Sequence, residues 1–116
     1  MKMLQTAVKE IETANELKKT LSENENVMIC CGRMGPMCIP VYDAMEELQE
    51  DRPQVKFFSM AFDSPESADI RNAPMCKGFM GLPFTVYYKK GEMVQATSSI
   101  QTHAQITKIL DEHLTH

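Results

Sequence analysis

The 116-residue chain has the size of one layered domain and is too short for two, so residues 1–116 are read as a single unit. Its formal net charge of −4 is scattered, with no basic stripe; neither nucleic acid nor an anionic membrane is expected as a partner. No stretch nears the roughly 18 apolar residues of a membrane span, the start of the chain lacks the apolar core of a secretion signal, and a core of this size folds without disulfides. A cytoplasmic protein with mostly reduced thiols is expected.

Residues 4–11 are read as a short strand or helix. Thr13-Ala14-Asn15-Glu16 has the form of a capping box, with Leu17 and Leu21 at helical spacing behind it, which predicts a helix over residues 13–22. Val27-Met28-Ile29-Cys30-Cys31, closed by Gly32, is a short apolar run without alternation. Such a run is expected of a central strand covered on both faces. Gly35-Pro36 then predicts the opening of a second helix, with Val41, Met45 and Leu48 as its core stripe and a kink at Pro40.

Residues 55–62 read as the next strand, and Ser64-Pro65-Glu66 as a short helix with Ser as cap and Pro at its first position. Residues 84–88 and 92–96 flank Lys89-Lys90-Gly91, the signature of a hairpin. Thr102-His103-Ala104-Gln105 is a second capping box, followed by Ile106, Ile109, Leu110 and Leu114 on one helical face. The order β-α-β-α-β then β-β-α predicts an α/β fold, a central mixed sheet with helices on both faces.

This order, and four motifs within it, resemble the thioredoxin-like family. The strand and Gly-Pro turn of residues 27–37 are similar to the segment that delivers the family's active-site loop. Pro40 with Asp43 resembles the kinked continuation of its active-site helix, although Pro40 falls about two positions earlier after the Gly-Pro than is usual in that family. Gly81-Leu82-Pro83 resembles the Gly-hydrophobic-cis-Pro segment, and residues 86–92 resemble the closing hairpin. The resemblance spans nearly the whole chain and implies the thioredoxin fold, with a cis bond before Pro83.

It also implies a changed active site. Placing Gly35-Pro36 on the family's Gly-Pro puts Met34 where the nucleophilic cysteine belongs and Met37 where the resolving cysteine belongs. A thioether neither attacks a disulfide nor resolves a mixed one, because both steps need a thiolate. The family's buried Asp and Lys fall at Met28 and Ser59, and its flanking tryptophans at Cys30 and Arg33, in a chain without Trp.

Three functional readings follow. The first is a non-catalytic binding module. The resemblance implies an extended protein or peptide partner along Leu82, Pro83 and Phe84, with Met80, Met34, Met37 and Met75 as pliable apolar surroundings. For each methionine, core filling is the competing explanation. The second is a thiol–disulfide oxidoreductase. Cys38, expected on the outer side of the first helical turn, would act there as a monothiol favoured by the helix N-terminus, or paired with Cys31 across the loop if their Cα atoms approach within about 7 Å. An inert cysteine is the alternative.

Cys30 is expected to point into the core, and Cys76 to pack at a helix end or near the same face. The third reading is a soft-metal site at Met34, Met37 and Cys38. The cysteine spacing matches no metal or cluster pattern, so no metal and no cofactor is assigned. His103, His113 and His116 are read as surface residues of the last helix and tail.

Overall fold

The computed structural model describes residue 4 and residues 6–114. His116 and most of the first five residues lie outside that range. The chain builds β1 (Lys9–Ile11), α1 (Ala14–Glu23), β2 (Asn26–Gly32), α2 (Ile39–Asp51), β3 (Lys56–Ala61), α3 (Ala68–Arg71), β4 (Phe84–Lys89), β5 (Glu92–Thr97) and α4 (His103–His113). Single 3-10 turns at Pro65–Ser67 and Pro74–Cys76 flank α3.

The five strands form one sheet in the order β1-β3-β2-β4-β5. β2 lies at its centre, parallel to β3 and antiparallel to β4, and all seven of its residues are buried. That central position accounts for the unbroken apolar run, since a strand with helices over both faces has no polar side to show. Met28 and Cys30 project into a core built with Val41, Met45 and Leu48 of α2 and Ile106 and Leu110 of α4. Val27, Ile29 and Cys31 project into the opposite core with Leu17 of α1 and Ile70 of α3. Helices thus cover both faces.

Local signals set the ends of several elements. Thr13 Oγ1 accepts from the Glu16 amide, while Glu16 reaches past the cap to accept from the Glu12 amide, so only one arm of that capping box closes as expected. The Ala14 amide donates instead to the Glu66 carboxylate, 52 positions away in sequence. In α4 both arms of the Thr102/Gln105 box are present. The hairpin turns through Lys90 (φ 52°) and Gly91 (φ 83°). Two consecutive positive φ values define the turn type whose twist suits a two-residue hairpin.

The second helix departs from expectation. Residues 35–38 form a turn in which the amides of Cys38 and Ile39 both donate to the Gly35 carbonyl at 3.0 Å, and α2 begins only at Ile39. Pro40 does not kink the helix; it sits in the first turn. A proline there cannot donate to the Pro36 carbonyl, so the ladder cannot run through from Gly35. It starts afresh, where a missing N–H costs nothing.

Candidate functional site

The parallel pairing of β2 with β3 and the antiparallel pairing with β4 bring three chain segments to one end of the sheet. Gly32 is opposite Ala61 and Cys31 opposite Phe84, so the loop 33–38, the residues after β3 and the segment entering β4 converge there. The Leu82–Pro83 peptide bond in that segment is cis.

Gly32 is the meeting point. A Cβ on it would lie 2.8 Å from Cys38 Sγ, 3.0 Å from Pro83 Cβ and 3.3 Å from the Tyr42 hydroxyl. The loop therefore closes over the strand end only because this residue has no side chain.

Cys38 follows from that packing. It was expected on the outer side of a helical turn, but it is 2 % exposed and its sulfur accepts from the Arg33 amide at 3.4 Å. The later start of α2 makes Cys38 the residue before the helix and turns its thiol inward, over Gly32. Cys31 points to the opposite core, with Cys76 and Ile70, because adjacent strand residues face opposite ways. The C-x6-C pair is therefore split between the two faces of the sheet. Cys30 shares a core with Cys38, and all four cysteines are free.

Burial sets the chemistry of these thiols. Cys30 is held well above the usual thiol range by desolvation, reinforced by Cys38 and Cys31 and only partly offset by the Tyr42 and Thr85 hydroxyls. Desolvation pushes Cys31 up to about 12 despite the Ser67 hydroxyl and Arg71, and raises Cys76 as well. These three sulfurs are kept as thiols rather than thiolates at neutral pH.

The exposed sulfurs are thioethers: Met34 and Met37 in the loop, Met80 two residues before Leu82, and Met75 in the turn Pro74–Cys76. Met34 and Met37 of the loop are 38 % and 42 % exposed, Met75 47 % and Met80 95 %. Core filling does not describe these four. Leu82 is half-buried, Pro83 buried, and Phe84 6 % exposed. The Phe84 ring meets Phe62 and Phe79 edge-to-face at 5.2 and 5.4 Å, so it supports this end of the sheet from below. The Gly81 carbonyl accepts from the Ser99 amide.

An ion pair at this end of the sheet was not foreseen. The Arg33 guanidinium donates to both Asp63 carboxylate oxygens, at 2.8 and 2.7 Å, and sits 5.5 Å from the centre of the Phe62 ring, with Arg71 at 5.7 Å. The pair holds Asp63 below the usual carboxylate range. The signal was available: opposite charges follow the ends of two adjacent parallel strands, one residue past Gly32 and two past Ala61. Ser59 donates its hydroxyl to the carbonyl of Val8 or Lys9 of the edge strand region.

His103 lies 3.7 Å from Glu47 on the far helices. Among the described residues no three His, Cys, Asp or Glu side chains are grouped to hold a metal ion, and no helix is long and apolar enough to cross a membrane.

No protein-family model and no curated protein sequence matches the chain. Solved structures do. A thioredoxin of Fasciola hepatica is 20 % identical and superposes with a TM-score of 0.75, covering 91 % of this chain and 99 % of that one. Oxidised thioredoxin from Plasmodium falciparum is 17 % identical with a TM-score of 0.74, covering 92 % and 98 %. Mitochondrial thioredoxin 3 of Saccharomyces cerevisiae is 18 % identical, also at 0.74, covering 91 % and 95 %. Sheet order, helix placement and these superpositions agree that the chain has the thioredoxin fold.

Proposed function

We propose that this chain is a binding module of the thioredoxin fold that holds an extended segment of a partner protein along the edge formed by Met80, Leu82 and Pro83, without exchanging disulfides. The observation that carries the reading is the division of sulfur. The thioethers Met34, Met37, Met75 and Met80 face solvent, while every cysteine is 2 % exposed or less. Unbranched, polarizable side chains adapt to varied apolar partners, and Met34 and Met37 stand where thiol chemistry would need thiolates. Four free, buried thiols suit a reducing compartment, which supports cytoplasmic residence.

A thiol-exchange reading has one observation in its favour: Cys38 lies directly beneath the loop and crowds the same Gly32 position as Pro83. Two measurements separate the readings. Differential alkylation of the native protein, read by mass spectrometry, is expected to label no cysteine rapidly, and insulin reduction is expected to stay at background. Peptides selected from a display library of unstructured sequences should bind the chain and lose roughly tenfold or more in affinity to Met80→Glu. Fast labelling of Cys38 together with insulin reduction that Cys38→Ser abolishes would replace the binding reading with the redox one.

A further inference from the structure

We infer that the exposed thioethers of this chain are its oxidation site: peroxide converts Met80, and then Met34, Met37 and Met75, to sulfoxides while the four thiols stay reduced. In most thiol proteins the order of attack is the reverse, because a thiolate is the better nucleophile. Two features of this chain invert it.

The first is access. Met34, Met37, Met75 and Met80 are between 38 % and 95 % exposed, whereas Met28, Met45 and Met60 are at 0 % and the cysteines at 0–2 %. Met34 and Met37 belong to the loop 33–38 and Met80 to the segment entering β4, which the topology brings to one end of the sheet; Met75 lies in the turn Pro74–Cys76. The second is protonation. A thioether sulfur carries its reactive lone pair at any pH, but a thiol must first ionise, and the surroundings of Cys30, Cys31 and Cys76 oppose that.

The step balances simply. The methionine sulfur attacks one peroxide oxygen, the O–O bond breaks, sulfur gains an S=O bond and is oxidised by two electrons, and the second oxygen leaves as water. A dithiol reductant reverses it, giving thioether, disulfide and water. The sulfoxide is polar, so oxidation turns an apolar edge into a hydrated one. Release of a docked partner by this change rests on the binding reading proposed above; the order of oxidation does not.

The test uses the full chain in graded hydrogen peroxide. The reaction is stopped with catalase, the protein unfolded, its thiols alkylated and its peptides mapped. The expected result is sulfoxide at Met80 first and at Met34, Met37 and Met75 next, roughly tenfold or more ahead of Met28, Met45 and Met60, with all four cysteines still open to alkylation. Met80→Leu should remove the first oxygen uptake and leave the rest of the order unchanged. Loss of any cysteine's alkylation before Met80 sulfoxide appears overturns the inference, as do equal rates at exposed and buried methionines. A chain that shows this order but selects no peptide keeps the inference and loses the docking reading; peptide affinity with the wrong order does the opposite.

Discussion

Gly32 concentrates much of what distinguishes this site into one missing methyl group. Its absent Cβ leaves space that Cys38 Sγ, Pro83 Cβ and the Tyr42 hydroxyl fill, and one of those neighbours, the ring Cβ of Pro83, cannot retreat without moving backbone. Gly32→Ala is therefore expected to cost about 1–3 kcal/mol by overpacking, read as a lower urea midpoint. Adding Cys38→Ala should recover part of that loss, since the sulfur is the closest of the three contacts. Asp63 gives a second prediction. Arg33 lowers its pKa in the folded state, so the stability it lends is present above its unfolded pKa and is lost as pH falls through the folded one. Asp63→Asn should flatten that acid-side loss of stability, and salt should weaken the effect in the parent because both partners are solvent-exposed. Neither Gly32 nor Asp63 stood out in the sequence as a site residue. A glycine needed for space looks the same, in one dimension, as a glycine needed for a turn.

Among the elements, the ones with self-contained signals were legible. The Thr102/Gln105 capping box closes both arms of its bonding within four consecutive residues, and nothing distant competes for them. Thr102→Ala should cost about 0.5–2 kcal/mol in overall stability, visible as a lower thermal midpoint with the fold retained. The first capping box shows the limit of such signals. Its Glu16 turned to the Glu12 amide, and Glu66, from beyond β3, took the Ala14 amide. In α2 the local pattern points to Pro36 as the helix opener and Pro40 as an internal kink, whereas the helix begins at Ile39 with Pro40 in its first turn. Both prolines are compatible with a first turn, and Pro40 decides between them because it cannot donate to the Pro36 carbonyl, so the helix starts afresh at Ile39 and leaves Cys38 before it, over Gly32.

For the molecule as a whole, the two cores hold several ionisable groups in neutral form. Burial pushes the Cys31 thiol up to about 12 and moves Cys30, Tyr42, Tyr87 and Tyr88 upward as well. Each of these groups ionises more readily once unfolded. Their contribution to stability is complete below the ordinary thiol pKa of 9.0 and, for Cys31, is lost as pH rises toward 12. Urea midpoints measured from about pH 8 to about pH 11 should therefore fall steeply, with Cys31→Ala showing a shallower fall than the parent over the same interval. A midpoint independent of pH across that window would contradict the burial of these groups.

By itself the sequence determined the central strand, the hairpin turn, the Thr102/Gln105 cap and the alternation of strands and helices after residue 13, because each is written in a short run of residues whose physics is local. Only the tertiary structure decided which way the cysteines face. One residue of offset in β2 sends Cys30 and Cys31 to opposite cores, and the closure of a loop over a bare glycine draws Cys38 inward. Those directions depend on what lies across the sheet, and strand neighbours far apart in sequence supply it.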